Sequence, residues 1–495
     1  MKKVLYILIL LVLTFTACKK FEEFEKDPNR PGEVPPSLIL TNVLSTTVYY
    51  PWSEEQRWNQ YWCSNYAYYD DQEYDWTTTS FNYSKLNNVK QMVAEAARIG
   101  LPENNAYSAL GKFFNALFYI DMTMRLGDIP LTEALNGLGN TEPVYDSQKA
   151  VFKQALVWLE ESNNDLQKLI DSHDNSLAGD FMLGNNLEKW QKVVNAFKLR
   201  TLITLSKKDG DTDLKVKQLF ADALASPSKY PLMSSLDDNL SFFFNSSTDK
   251  YPLNPDNYGF TATRNNMSAT YLNTLAALHD PRTFIVAEPA PAKIAAGLTS
   301  RDYDAYVGAS SGESLDDMST KMLNGEYSAI NKQKYYGTYL GEPCIQIGYI
   351  EQCFNIAEAI NRGWISGNAE DYYMRGIQAS WAFHGVTDGT NWDDYYGQTA
   401  VRYKGNTTEG LNQILTQKYL GFFQNSGWEA YYNNRRTGIP EFLTGPGTAN
   451  SSRIAKRWQY PSSERTTNAD NYISALKSQF GSQNDDINDA MWLVK

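Results

Sequence analysis

The sequence predicts a mostly α-helical protein in which helices come in pairs and long loops separate the pairs. Apolar residues recur at helical spacing in several segments of 16 to 24 residues, which is typical of amphipathic helices. These segments follow one another through short connections, and polar stretches rich in aromatic residues lie between the pairs. The pairing resembles tetratricopeptide hairpins, although the strict period of about 34 residues that defines those repeats is absent.

The spacing of apolar residues and the residues at the helix ends predict the individual helices. The second long helix begins at Asp146-Ser147, whose side-chain oxygens suit an N-terminal cap. Helices are predicted over 107–125, 147–170, 187–206, 345–362, 369–386 and 408–423. The intervening loops are 52–83, 230–269, 300–339 and 387–405. Loops of this length are uncommon in compact domains and are often functional, so we expect the helices to form a scaffold and the loops to carry the working surface.

The first residues have the layout of a secretory signal. Lys2 and Lys3 precede an apolar run over 4–13 that is too short to span a bilayer, which takes about 20 residues. Small residues then lead to Cys18, as in a bacterial lipoprotein signal in which the cysteine is acylated; a plain signal peptide is the alternative. We therefore predict a signal peptide over 1–17, a lipidated, proline-broken tether over 18–36 and a single binding domain over 37–495.

Composition excludes some function classes. The formal net charge of −12 makes nucleic acid an improbable partner, because affinity for it depends on neutralising phosphates. The remaining cysteines, Cys63, Cys344 and Cys353, have neither the number nor the spacing of a disulfide framework or a zinc site. One disulfide bond among these cysteines is the alternative, but we expect all three thiols to be free and buried.

Catalytic signals are weak. The chain has three histidines and lacks the HExxH, Walker A and GxGxxG motifs. GASSG over 308–312 formally matches a nucleophile elbow, but its surroundings do not indicate the strand and helix that such an elbow requires. A carboxylate pair for glycoside hydrolysis depends on a spatial separation that the sequence does not reveal. We therefore expect a binding protein and not an enzyme.

Three aromatic-rich loop segments are candidate ligand surfaces, because Tyr and Trp combine a broad apolar face with a polar group. In the first, over 57–76, acids surround the later rings, which favours exposure. The predicted ligand-binding residues are Tyr68, Tyr69 and Trp76 in this segment, and Trp392, Tyr395 and Tyr396 in NWDDYYG. A third possibility is KQKYYGTY, with Tyr335, Tyr336, Tyr339, Lys332 and Lys334.

The acids of the first segment also offer oxygen ligands for calcium. These weak candidates are Asp70, Asp71, Glu73 and Asp75, which match no EF-hand loop. We expect no cofactor beyond a possible structural calcium ion.

Other polar and aromatic residues have a structural interpretation. Arg435 and Arg436 could receive an anion, but the following Thr-Gly-Ile-Pro indicates a helix end, where buried arginines often hold carbonyls or carboxylates. Trp158 and Trp190 lie in predicted helices and are expected in the core.

Eight longer segments run in order along the chain. They are DPNRPGEVPPSLILTNVL (27–44), RLGDIPLTEAL (125–135), PVYDSQKAVFKQAL (143–156), GDFMLGNNLEKWQKVVNAFKLR (179–200), AEAINRG (357–363), ILTQKYLGFF (414–423), EAYYNNRRTGIPEF (429–442) and RWQYPSSERTTNADNY (457–472). Together they resemble the SusD/RagB family of outer-membrane lipoproteins from Bacteroidetes, in its SusD-like branch.

The resemblance implies four helical hairpins in a right-handed superhelix, with loops and a less regular C-terminal part packed on it. It also implies a lid on a SusC-like TonB-dependent outer-membrane transporter, to which the protein delivers a glycan or a peptide. The acidic patch over 22–25 resembles the signal that sends such lipoproteins to the outer face, so we expect a lipid-anchored protein facing the exterior. A lid without ligand affinity and a secreted glycoside hydrolase stay open as alternatives.

Overall fold

Packed helices account for most of the described residues and surround a large apolar core, with two smaller apolar clusters beside it. The computed structural model describes residues 33–66, 71–387 and 391–495, apart from the side chain of Phe260. The first elements in chain order are α1 (Pro36–Ser45), α2 (Glu54–Trp58), β1 (Trp62–Ser64), α3 (Tyr83–Arg98), α4 (Ala106–Leu126), α5 (Gln148–Asp171), α6 (Leu187–Thr204), α7 (Val216–Ala225), β2 (Leu240–Phe242) and α8 (Tyr258–Thr261). No helix in these described residues is long and apolar enough to cross a membrane.

The second half of the chain alternates short and long elements. These are β3 (Asn265–Met267), α9 (Ala269–Ala277), α10 (Thr283–Val286), α11 (Pro291–Ala295), α12 (Leu315–Leu323), α13 (Lys332–Tyr336), β4 (Cys344–Ile347), α14 (Tyr349–Asn361), α15 (Ala369–His384), α16 (Trp392–Gly397), α17 (Thr408–Gly421), α18 (Glu429–Thr437), α19 (Glu464–Thr467) and α20 (Ala469–Phe480). Of these short elements, β3, α12, α13 and α16 fall in the segments predicted as loops.

The long helices pack in series and form the scaffold. Helix α3 packs between α1 and α4, α5 packs between α4 and α6, and α14 packs against α6, α15 and α17. Side-chain caps define several starts: Ser147 Oγ accepts a hydrogen bond from Ala150 N, as expected for the start of α5. Helix α1 begins at Pro36, the last residue of the predicted tether, because proline suits the first turn of a helix.

Buried ion pairs join the two halves of this scaffold. Arg200 of α6 donates through Nε and Nη2 to the carboxylate of Glu351 on α14. Arg436 of α18 donates through Nη1 and Nη2 to Glu358 on the same α14 helix, at 2.5 and 2.9 Å. The structural interpretation of Arg436 is therefore confirmed. Trp190 is buried in α6 and Trp158 packs partly buried against the same core.

Two small antiparallel sheets connect loops that are distant in sequence. Strand β1 pairs with β3, with Cys63 opposite Asn266, and β2 pairs with β4, with Leu240 opposite Ile347. The sequence interpretation placed 345–347 in a helix; the structure places these residues in β4, so that prediction is wrong at its start. All four residues of β4 are buried, and a short apolar run buried on both faces does not distinguish a strand from a helix.

Candidate ligand-binding surface

The first predicted aromatic segment is divided between core and surface. Trp76 is only 3% exposed and stacks on Trp458, with ring centroids 4.0 Å apart and planes at 7°. Its remaining neighbours are Trp58, Tyr74, Trp428 and Tyr431, and we call these six rings the buried aromatic cluster. The expected exposure of Trp76 is therefore wrong, and its ring faces are occupied by other rings.

The physical reason is an alternation that runs from residue 71 to residue 76. Asp71, Glu73 and Asp75 are exposed, whereas Gln72, Tyr74 and Trp76 between them are buried. Each acid therefore remains in water while the next side chain enters the core, so the acids add no cost to burying the rings. Gln72 fixes this arrangement, because its amide accepts a hydrogen bond from Ser64 N at 2.7 Å and donates to Ser64 O at 2.9 Å.

Tyr68 and Tyr69 lie outside the described residues, and so does Asp70, one of the calcium candidates. Their place in a ligand surface stays a prediction. Tyr66, just before them, is 48% exposed and lies under the guanidinium of Arg264, 4.9 Å from its ring centroid.

The second predicted set lies on the short helix α16. Trp392 and Tyr396 are half-buried and stack with centroids 5.4 Å apart and planes at 11°, because positions four apart lie on one helix face. Tyr395 is buried instead, and its hydroxyl donates to Asp280 at 2.8 Å. Burial raises the pKa of Tyr395 well above its usual value. The expected ligand contact of Tyr395 is therefore wrong, whereas Trp392 and Tyr396 remain candidates.

A third group of rings lines an open pocket of about 510 Å³. Tyr258 of α8 is half-buried and forms its aromatic wall, and Tyr336 of α13, only 4% exposed, packs against it, with centroids 5.1 Å apart and planes at 79°. The other lining residues are Pro255, Glu288, Lys332, Gln333 and Gly337. We call this the tyrosine pocket. Its volume lies in the range that small-molecule sites occupy, about 300–1,000 Å³.

The two tyrosines are fixed by polar contacts. The hydroxyls of Tyr336 and Thr261 lie 2.9 Å apart, and burial raises the pKa of Tyr336 to about 12. The ammonium of Lys332 lies 4.1 Å from the ring centroid of Tyr258, a cation–π distance. Tyr258 therefore contacts both the ammonium of Lys332 and the ring of Tyr336.

Polar contacts of Lys334 anchor helix α13 to neighbouring segments. Lys334 donates to the carboxylate of Glu342 at 2.7 Å and to the carbonyl of His384 at 2.8 Å. Trp392 packs on Trp381, one turn before His384 in α15, with centroids 5.3 Å apart. The tyrosine pocket and the rings of α16 therefore both attach to the last turns of α15.

Sequence reasoning found only part of this pocket. Tyr336 and Lys332 belong to the third predicted possibility, but Tyr335 from the same run is fully buried. Tyr258 was missed, because a single tyrosine in the polar stretch 254–259 gives no signal of its own. Only the fold brings α8 against α13.

The calcium prediction stays untested. The described residues contain no group of three or more His, Cys, Asp or Glu side chains that could hold a metal ion, but Asp70 is not among them. Asp71 accepts a hydrogen bond from Glu73 N at 2.9 Å. Glu73 has a pKa raised by partial burial and by the nearby Asp71 and Asp75.

The GASSG motif has a packing explanation. A Cβ atom at Gly308 would lie 2.4 Å from Ala269 N, and one at Gly312 would lie 2.4 Å from the carbonyl carbon of Thr444. Both glycines therefore permit close backbone contacts. Ser310 Oγ accepts a hydrogen bond from Gly312 N at 3.2 Å, and α12 begins only at Leu315.

The three described cysteines are buried and unpaired, as expected. Burial raises the pKa of Cys63 to about 11 and those of Cys344 and Cys353 to about 12. Thiols with such pKa values are poor nucleophiles at neutral pH.

A narrow cavity between α4, α6 and α18 is too small for a sugar. Its volume is about 60 Å³, and its lining includes Asp121, Arg200, Glu429 and Tyr432. This space accommodates a few water molecules. Of these two spaces, only the tyrosine pocket is large enough for a sugar ring.

Comparison with known proteins gives one consistent result. The SusD-like family model, described as starch-binding and associating with the outer membrane, matches residues 28–461. A Bacteroides vulgatus outer membrane protein that has been connected with nutrient binding is 32% identical, with a TM-score of 0.82, and the match covers 93% of this chain and 100% of that one. No sequence of a curated protein matches.

Two further solved structures are similar to this chain. A SusD homologue from Bacteroides fragilis is 32% identical with a TM-score of 0.79, over 93% of this chain and 100% of that one. A chitin-binding SusD homologue from Flavobacterium johnsoniae shares the fold at 18% identity, with a TM-score of 0.74 over 93% of this chain and 98% of that one. The predicted tetratricopeptide-like helical fold is confirmed, and the chain belongs to the SusD-like family of outer-membrane nutrient-binding proteins.

Proposed function

We propose that the protein is a non-catalytic glycan-binding protein that captures oligosaccharides at the outer membrane in the tyrosine pocket. The observation that carries this proposal is the open pocket at the half-buried Tyr258, which Tyr336 supports, in a chain of a family described as starch-binding. A pyranose presents C–H groups on its face and hydroxyls at its rim. Such a ring can stack on Tyr258, which Tyr336 holds in place from the buried side.

The polar groups of the pocket suit a neutral sugar. Lys332 and Glu288 contribute one charge of each sign, and Gln333 contributes an amide. Donors and acceptors are therefore both present, without a net charge that would select an ionic ligand. A peptide with free termini is the other ligand class, and the binding test distinguishes the two.

The proposal includes delivery to a SusC-like TonB-dependent transporter. An acyl chain on Cys18 and the tether after it would keep the protein beside its partner in the outer membrane, so that the effective concentration stays high. Affinity purification of the tagged protein from detergent-solubilised outer membranes should recover such a transporter. Recovery of the protein alone, from membranes that contain the transporter, would contradict this part of the proposal.

The experiment for glycan capture is isothermal titration of the signal-free chain with starch- and chitin-derived oligosaccharides and with peptides of similar size. Replacing Tyr258 by Ala should weaken oligosaccharide binding about tenfold, because one stacked ring contributes about 1.4 kcal/mol. Thermal stability should change little, since Tyr258 is half-buried on a four-residue helix.

The matched control is Trp158→Ala, which removes a half-buried ring from α5, outside the pocket lining. It should leave the oligosaccharide affinity unchanged. Peptide binding without oligosaccharide binding would replace the glycan proposal by the peptide alternative, and release of reducing ends would indicate a hydrolase.

A further inference from the structure

A second pocket, of about 320 Å³, lies where the end of α6, the end of α18 and the C-terminal segment meet. Three cationic side chains line it: Lys207, Arg435 and Lys456. Asn434 adds an amide and Val494 an apolar wall, and no acidic residue belongs to the lining. A wholly cationic pocket is unexpected in a chain whose formal net charge is −12.

Within the described ranges, none of these three cations has a carboxylate within the 4.0 Å of an ion pair. Lys207 donates instead to the carbonyl of Val494 at 2.8 Å, and Arg435 donates through Nη1 to the carbonyl of Lys456 at 2.8 Å. Burial and Asp486 raise the pKa of Asp489, and Lys456 is among the cations that lower it, so this carboxylate acts on Lys456 from beyond ion-pair distance. Three positive charges therefore surround one pocket without a carboxylate in direct contact.

The neighbouring arginines 435 and 436 show the difference most clearly. Arg436 is satisfied by Glu358, Asn433 and Ser206. Arg435 is not: its Nε and Nη2 atoms are buried and donate to no acceptor, and its guanidinium carbon lies 5.0 Å from the ring centroid of Tyr432.

In two other arginines of this protein, the Nε–Nη2 edge of the guanidinium binds a carboxylate. Arg282 donates through Nε and Nη2 to the two carboxylate oxygens of Asp280, at 2.9 and 2.7 Å. Arg200 holds Glu351 in the same way. At Arg435 that internal acid is missing, so its charge is not neutralised by a paired carboxylate and adds to the positive potential of the pocket, although its Nε and Nη2 atoms are themselves buried.

We propose that this pocket binds a phosphate group. Two lysines act as point charges and an arginine supports them, an arrangement that suits phosphate, which carries about −1.5 to −2 charges at neutral pH, better than a singly charged carboxylate. The phosphate group can belong to a soluble ion or sugar phosphate, or to a lipid headgroup of the outer membrane. The site is independent of the tyrosine pocket and of the proposed glycan capture.

The first test is a titration of the signal-free chain with inorganic phosphate, followed by calorimetry, with acetate as the singly charged comparison. Wild type should bind phosphate saturably, and at least tenfold more tightly than acetate. Lys207→Gln and Lys456→Gln should each weaken phosphate binding about tenfold, because a hydrogen bond to a charged group contributes about 1.5 kcal/mol. Arg435 is not substituted in these variants, because its guanidinium packs on Tyr431 and Tyr432 and its removal would disturb that packing.

The matched control is Lys477→Gln, which removes an exposed lysine of α20 outside the pocket. It should bind phosphate as wild type does, and all variants should retain oligosaccharide affinity. Equal weakening in Lys477→Gln, or equal affinity for acetate and phosphate, would show non-specific charge attraction and overturn the proposal.

The second test distinguishes the sources of the phosphate group. The Cys18→Ser chain, which lacks the lipid attachment site, is mixed with vesicles of phosphatidylglycerol or of phosphatidylcholine alone. Sedimentation with the anionic vesicles that is lost in the Lys207→Gln, Lys456→Gln double variant indicates a lipid headgroup. Binding of free phosphate without sedimentation indicates a soluble ligand. If neither occurs, the pocket binds no phosphate group and the proposal is wrong.

Discussion

The buried aromatic cluster around Trp76 and the tyrosine pocket are built from the same residue types but differ in what covers their rings. In the cluster, Trp76 lies between Trp458 and other rings, and its neighbours in sequence send their carboxylates outward. In the pocket, Tyr336 is about as buried as Trp76, at 4% exposure, and only Tyr258 remains half-buried beside the opening. The charge of adjacent residues therefore says little about whether a ring is exposed; the direction in which each side chain points decides it.

The largest effect that would test this contrast is on stability. Replacing Trp76 by Ala should lower the free energy of unfolding by about 4 kcal/mol, because a large buried ring is removed and a cavity remains beside Trp458. Chemical denaturation followed by circular dichroism measures this. A variant as stable as wild type that no longer binds oligosaccharide would place Trp76 in the ligand surface and break the comparison.

A second, smaller effect concerns the support of the cluster by helix α18, which carries both Tyr431 and Arg436. Burial by itself raises the pKa of Glu358, but Arg436, Arg362 and Lys418 outweigh it and hold this pKa at about 2, below its usual 4.5. Because the folded state has the lower pKa, the ion pair stabilises the fold above pH 4.5 and loses its contribution, about 3 kcal/mol, as the pH falls towards 2.

Denaturation at a series of pH values measures this contribution. Glu358→Gln should be less stable than wild type at neutral pH and should lose less stability on acidification. Glu409→Gln, at an exposed position of α17, should follow the wild-type profile. An unchanged acid profile in Glu358→Gln would show that other carboxylates dominate acid unfolding.

The smallest expected effect concerns the rings of α16. Trp392→Ala should weaken oligosaccharide binding about fivefold, if its stack with Tyr396 extends the ligand surface beyond the tyrosine pocket, because one partly exposed ring contributes about 1 kcal/mol. Titration calorimetry measures this, again with Trp158→Ala as control. Affinity equal to that of wild type would confine the ligand to Tyr258 and Tyr336.

The sequence predicts the scaffold well and the ligand surface poorly, for a physical reason. The helix observed over Gln148–Asp171 was predicted within one residue at each end, because a 3.6-residue apolar period and a capping serine are local signals. Trp76 was misplaced because the alternation of its neighbours was interpreted only as acid content. Tyr258 gave no signal, because its partner Tyr336 is 78 positions away in sequence and only packing brings the two together.

The anchoring of α13 by Lys334 has a consequence for the energetics of capture. Since Glu342 and the carbonyl of His384 already hold this helix, its binding wall is preorganised, and a sugar that enters does not have to immobilise it. The conformational entropy that a loose loop would lose on binding is thus lost already during folding. Even a few ring contacts then suffice to hold a ligand reversibly.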